Sequence, residues 1–319
     1  MPAGDETMSS TSPFSAPSPG PITGQPAVDS LVDLLDLTLV DQDVYEGSSP
    51  DVSLQRVFGG QVAGQALVAA VRTVADERPV NSLHAYFLRP GDPRVPIRYE
   101  VDRIRDGLSF TTRRVVAKQV RRGGSSEAIF QLSASFQRAE APFIEHSLAM
   151  PDGPGPDALP DFAELVEPVA DQIGHFARIP RPIDRRYRTS PWLPSSPADS
   201  LTGPEDAEGY VWMRADGRLP DDPAIHVCVL TYASDISLLE AAARRAGVSF
   251  ADPEVMPASL DHAMWFHRPF RADEWFLYTS DSPSASGGRA LCTGQIWSQD
   301  GTHIATVVQE GLIRRRRSG

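Results

Sequence analysis

Three polar residues stand where the chain is otherwise apolar, and their types suit proton transfer and hydrogen bonding. Asp235 lies within Val227-Cys228-Val229-Leu230-Thr231-Tyr232-Ala233-Ser234-Asp235-Ile236-Ser237-Leu238-Leu239. A helix apolar on nearly every side must be enclosed, and an enclosed carboxylate is costly unless partners offset it. Such an acid is either a helix-capping group at a break in the segment or a general base. Ser259 opens a strand-like stretch, 259–266, where a hydroxyl serves structure or holds a reactant by hydrogen bonding. No Gly-x-Ser-x-Gly elbow primes it as a nucleophile. Gln309 falls in Ala305-Thr306-Val307-Val308-Gln309-Glu310-Gly311 and shares a strand face with Ala305, Val307, Gly311 and Ile313, which reads as inward. A buried amide needs partners, supplied by the fold or by a water or substrate carbonyl.

Other reactive residues read differently. Adjacent strand residues point to opposite faces, so Asp261 and His262 do not meet, and His262 and His267 are expected to be structural. Cys228 and Cys292 are the only cysteines, lie far apart in sequence and belong to no Cys/His cluster. They read as small core hydrophobes in a reducing compartment, and no structural zinc is expected. The run Arg314-Arg315-Arg316-Arg317 is a solvated tail or a contact for a phosphorylated ligand.

The elements that must position these groups come in two copies. Ser82-Leu83-His84-Ala85-Tyr86-Phe87-Leu88-Arg89-Pro90 returns about 180 residues later as Ser259-Leu260-Asp261-His262-Ala263-Met264-Trp265-Phe266-His267-Arg268-Pro269, which marks a duplicated domain rather than a solenoid. In the first copy a glycine pair, Gly59-Gly60, opens an apolar helix reaching Val71, and strands are expected at 82–88, 97–104, 109–119 and 128–137. In the second, a strand at 210–214 precedes a helix over 224–245, then strands at 259–266, 275–280, 289–298 and 303–313. Aligning Gly64-Gln65 with Ser234-Asp235 gives the neutral Gln65 in the first helix where the second has its acid. A curled antiparallel sheet around each buried helix is the hotdog arrangement, so the expected fold is α+β, a double hotdog. Residues 27–138 and 206–319 form its two domains.

Between them, residues 139–205 are rich in proline and read as a connector, with a short helix near 163–173. Residues 1–26 are rich in Pro, Ser and Gly and read as a disordered extension, with the ordered chain starting near Asp29. The whole is 319 residues, 41% hydrophobic and 23% charged, ample for two globular cores. A formal net charge of −12 argues against a nucleic-acid partner. No run of 18 apolar residues and no signal peptide is read, and a cytoplasmic protein is expected.

Several of these stretches are familiar together. Phe58-Gly59-Gly60-Gln61, Phe87-Leu88-Arg89-Pro90-Gly91, Tyr232-Ala233-Ser234-Asp235, Asp261-His262-Ala263-Met264-Trp265-Phe266-His267-Arg268-Pro269 and Val308-Gln309-Glu310-Gly311 resemble the type II acyl-CoA thioesterases, the TesB family. The likeness spans residues 30–138 and 205–315, in order. It implies a hydrolase that splits fatty acyl-CoA into free acid and CoA, without cofactor or metal. By motif it also implies that Asp235, Ser259 and Gln309 position the attacking water, with Ser259 where the family often has Thr. Gly59 and Gly60 are candidate substrate-binding positions, through backbone amides facing the developing oxyanion. A homodimer or larger homo-oligomer is implied. The rival readings are a non-catalytic acyl-CoA-binding module and an enoyl-CoA hydratase. The latter would place a His a few residues after the Asp, where this chain has Glu240.

Overall fold

The protein is described from a computed structural model covering residues 22–50, 55–167, 181–189, 209–250 and 252–316. The expected extension lies outside the described residues up to position 21. Beyond that the chain is ordered earlier than expected. Helix α1 (Gln25–Leu35) carries Ala27, Val28, Leu31 and Leu35 on its buried face, at helical spacing. The Gly24 amide donates to Asp216 at 2.5 Å, and the Gln25 side chain donates to the Arg218 carbonyl, tying this end to the second half.

Among the described residues, thirteen strands form one antiparallel sheet. The first half supplies β1 (Thr38–Asp41), β2 (Val44–Gly47), β3 (Val80–Phe87), β4 (Ile97–Asp106), β5 (Phe110–Val120) and β6 (Ser126–Gln137). The rest are β7 (Ile183–Tyr187), β8 (Gly209–Ala215), β9 (Val255–Ser259), β10 (Asp261–Phe266), β11 (Phe276–Ser286), β12 (Arg289–Ser298) and β13 (His303–Arg315). Their order across the sheet is β1-β2-β4-β5-β6-β3-β10-β13-β12-β11-β8-β7, with β9 beside β13. The two copies of the repeated motif, β3 and β10, are thus neighbours. Leu83 pairs with Met264, and the Phe87 amide donates to the Leu260 carbonyl at 2.9 Å, joining the halves through their duplicated strands.

Helix α2 (Gly59–Val71) is buried from Gly60 through Ala70 without a break, enclosed by the first-half strands and by a helix of the second half. The connector is more structured than expected. It holds α3 (Phe162–Val166), opened by an Asp161/Glu164 capping box, and β7, which extends the sheet beyond β8. The part of the expected 163–173 helix from residue 168 onward lies outside the described residues. Upstream, the Pro154 carbonyl accepts from Tyr210 Oη and Trp212 Nε1. Met150 and Leu159 pack there against Tyr210, Trp212, Leu277 and Trp297. Proline keeps this strap from forming a ladder of its own while its side chains shield an aromatic outer surface.

The long helix expected over 224–245 is two helices, α4 (Pro223–Ser234) and α5 (Glu240–Arg245). Thr231 and Ser234 turn their hydroxyls back onto the Val227 and Thr231 carbonyls, and the Ile236 amide bonds Ala233 in a tightened last turn. The helix therefore stops at Asp235. Among the described residues no helix is long and apolar enough to cross a membrane.

Candidate active site

Asp235 ends α4 instead of lying within it, and its side chain does not cap its own helix. It turns toward the N-terminus of α2, where the Gly60 amide donates to the carboxylate. Negative charge is stabilised there by the helix dipole. This approach explains the glycine pair. A Cβ on Gly59 would stand 2.5 Å from Asp235 Oδ2 and 2.8 Å from the Phe87 ring, and one on Gly60 would collide with the Tyr232 carbonyl and the Phe58 ring. Gly59→Ala should displace the carboxylate by roughly an ångström and lower kcat/KM about 100-fold. Steady-state kinetics beside an unchanged circular-dichroism spectrum would check this.

The three residues singled out by type meet. Asp235 Oδ1 accepts from Ser259 Oγ at 3.1 Å and from Gln309 Nε2 at 3.0 Å. Gln309 Nε2 also donates to Ser259 Oγ at 2.7 Å. Gln309 is fully buried, whereas Asp235 and Ser259 keep a narrow opening to solvent while protein atoms pack densely around the carboxylate. That burial lifts the Asp235 carboxyl above the usual carboxylate range. Hydrogen bonds from Gln309, Ser259 and the Gly60 amide pull the other way without cancelling it.

A fourth residue belongs to this group, against expectation. His262 Nδ1 lies 2.7 Å from Gln309 Oε1, and its Nε2 lies 2.8 Å from Ser234 Oγ. An amide oxygen only accepts, so Nδ1 carries the proton and donates. Burial holds the imidazole pKa below its ordinary value, so the ring is neutral at neutral pH, and Nε2 competes with the Thr231 carbonyl for the one Ser234 hydroxyl proton. The bond to Nδ1–H fixes which way the Gln309 amide faces, and hence aims Nε2 at Asp235 and Ser259. His262 is a positioning residue.

Strand alternation over 259–266 failed to find it because that stretch is not one strand. Both β9 and β10 pair with the same edge of β13, yet Ser259 opposes Gly311 while Ala263 opposes Val308. The intervening register slips by one residue, a β-bulge around Leu260. One extra residue inverts the alternation, so Ser259 and His262 share the inner side. Asp261 turns away, with its Oδ1 accepting from the Glu310 amide.

The first half gives an internal comparison. Superposing Arg89-Pro90 on Arg268-Pro269 puts Leu83 in the place of His262. Carrying the β3–β6 register across puts Ala134, the partner of Leu83, in the place of Gln309. Both are buried. Gln65, in the place of Asp235, is bonded to the Leu34 and Ser48 carbonyls and to Tyr99 Oη. The same architecture therefore holds together around an apolar Leu/Ala pair. Of the two halves, only the second carries the polar His/Gln pair, beside its carboxylate.

The chain matches the family model described as acyl-CoA thioesterase over residues 186–312, and its N-terminal domain model over residues 48–137. It is 39% identical to human acyl-coenzyme A thioesterase 8, covering 88% of each chain. Against acyl-CoA thioesterase 2 of Haemophilus influenzae it is 37% identical, covering 90% of this chain and 98% of that one. Among solved structures, acyl-CoA thioesterase II TesB2 from Mycobacterium marinum is 44% identical. It aligns with a TM-score of 0.71 over 91% of this chain and 100% of that one. A hot dog fold protein from Alicyclobacillus acidocaldarius, 21% identical with a TM-score of 0.66 over 90% and 99% of the two chains, shares the fold. The chain belongs to the acyl-CoA thioesterase family, in keeping with the resemblance its motifs carry. It is a thioester hydrolase with a hotdog-type fold.

Proposed function

We propose that this chain is a double-hotdog enzyme that hydrolyses fatty acyl-CoA to free acid and CoA, using Asp235 as general base. The observation that carries the reading is the bond network itself: one carboxylate, one hydroxyl and one oriented amide converge beside an opening to solvent. Asp235 takes a proton from a water held by Ser259 and Gln309, and the water oxygen attacks the thioester carbonyl carbon. The developing oxyanion is met by the Gly59 backbone amide in the first turn of α2, while the Gly60 amide stays on the Asp235 carboxylate. The C–S bond then breaks, and the thiolate leaves and recovers the proton. Ser259 keeps the hydroxyl the step requires, so the absence of a Thr methyl costs no hydrogen bond.

CoA release from a panel of acyl-CoAs of graded chain length tests this directly. Turnover across part of the panel is expected, and its profile reports chain-length preference. Binding of acyl-CoA with no CoA released would replace the hydrolase by the binding-module reading.

The pH dependence follows from the raised Asp235 carboxyl. A general base must be ionised, and its protonated form persists to higher pH than for an ordinary Asp. The acid limb of kcat/KM should therefore lie above the ordinary Asp value of about 4. An acid limb at or below that value would rule out a desolvated base.

A further inference from the structure

The proposed reaction leaves one concentration of charge unused. Arg314, Arg315 and Arg316 close the described chain, all exposed, in a protein of formal net charge −12. With Met256, Gly287 and Gly288 they line an open cleft of about 930 Å³. Successive like charges repel unless acids absorb them. Of these three, Arg315 alone has an ion pair among the described residues, with Glu254 at 4.0 Å, between side chains 81% and 69% exposed. Such a pair contributes little. Among the described residues no ion pair involves Arg314 or Arg316.

The cleft and the site share two strands. Ser259 pairs with Gly311 near the site, and Met256 pairs with Arg314 at the cleft. Five residues of β13 separate Gln309 from Arg314, about 17 Å at the rise of an antiparallel strand. Arg56, which precedes Gly59 by three residues, donates from Nη2 to the Pro257 carbonyl at 2.9 Å and adds a guanidinium between the two. Strand β9 pairs with β13 alone among the described strands, so its other edge presents backbone groups that can bond amides. The turn between β11 and β12 is built to leave room. Gly288 has φ +79°, and a Cβ there would stand 3.0 Å from Arg314 Nε.

We infer that this cleft binds the phosphate groups at the nucleotide end of the CoA substrate, with the pantetheine arm lying along β9 toward Ser259. The assignment rests on the hydrolase reading above. Guanidinium groups pair with phosphate oxygens through two parallel hydrogen bonds, and several unpaired ones side by side suit a ligand with a pyrophosphate and a ribose phosphate. The extended pantetheine arm, with its two amides, spans a distance of the order that separates Gln309 from Arg314.

The test compares full-length wild type with Arg314→Ala/Arg316→Ala. Calorimetric titration with CoA, 3′-dephospho-CoA and inorganic phosphate is run beside kcat/KM for an acyl-CoA and for the matching acyl-pantetheine, which has no phosphate. Both arginines are exposed, so the variant keeps its fold, which circular dichroism verifies. CoA affinity should fall at least tenfold, with a smaller fall for 3′-dephospho-CoA. The kcat/KM preference for acyl-CoA over acyl-pantetheine should shrink by a similar factor. CoA affinity within twofold of wild type would overturn the assignment. So would an equal loss on both substrates, or inorganic phosphate binding wild type as tightly as CoA, which marks a general anion site. Calorimetry needs no turnover. A wild type that binds CoA through these arginines yet releases none from acyl-CoA would sink the hydrolase reading while the cleft stands.

Discussion

Asp235→Asn should lower kcat by between about 100-fold and 10,000-fold while raising thermal stability. The loss follows from removing the only carboxylate in the network, since a positioned general base contributes about that range. The amide fills the same space and its oxygen can still accept from Ser259 and Gln309, at the cost of the bond from the Gly60 amide, which the side-chain NH2 cannot accept. The stability gain follows from the direction of the carboxyl shift. Its pKa is higher in the folded chain than in the unfolded one, because burial penalises the charge. The folded state therefore holds that proton more tightly. The associated stability is fully present below the unfolded value of about 3.9 and is lost as pH rises through the folded value. At neutral pH the ionised group opposes folding, and a neutral isostere relieves it. Single-turnover CoA release and a thermal melt at pH 7 read both effects. Unchanged turnover would leave the fold intact and remove Asp235 as the base.

His262→Leu should lower kcat about 30-fold with the fold preserved. The substitution installs the residue that the first half uses at the matching position, where Leu83 packs against Ala134. It leaves Gln309 Oε1 buried without its donor, a loss of about 2 kcal/mol. Carried into the transition state, that is about 30-fold in rate. A purely structural histidine would affect melting temperature and little else. A positioning role also predicts a displaced acid limb in kcat/KM, because a freed Gln309 amide no longer holds a donor against Asp235. Partial rescue by His262→Asn is expected, since its side-chain N–H can reach toward Gln309. In a double-mutant cycle, His262→Leu and Gln309→Ala should be strongly non-additive. Additive losses would show that the two side chains act separately.

Much of this site was legible before any coordinates. Asp235 stands out because a lone carboxylate in an apolar helix needs partners. Gln309 stands out because strand periodicity turns it inward, and Ser259 was reached through the family motif. All three rest on local periodicity or on motif, which a single chain displays openly. His262 was hidden because a bulge is a relation between two strands: five residues from Ser259 to Ala263 oppose four from Gly311 to Val308. Period-two counting along one strand cannot register an offset in its partner. The break of the expected 224–245 helix was missed for a related reason. Apolar periodicity continues through Ile236, Leu238 and Leu239, and what stops α4 is the tightened turn at its end, with the Asp235 carboxylate drawn to α2. The strand β7 was missed because proline-rich composition masks a short edge strand that depends on β8 for its ladder.

The seam between β3 and β10 has a consequence for concentration. Gly59 and Asp235, whose contact shapes the carboxylate, come from different halves of one polypeptide, and five residue pairs from Asp261↔Tyr86 to Trp265↔Ser82 hold those halves edge to edge. As two separate chains, halves joined by this ladder and by α2 against α4 would share a site only at concentrations where they associate. Here the tether makes the encounter intramolecular, at an effective concentration that no dilution can lower.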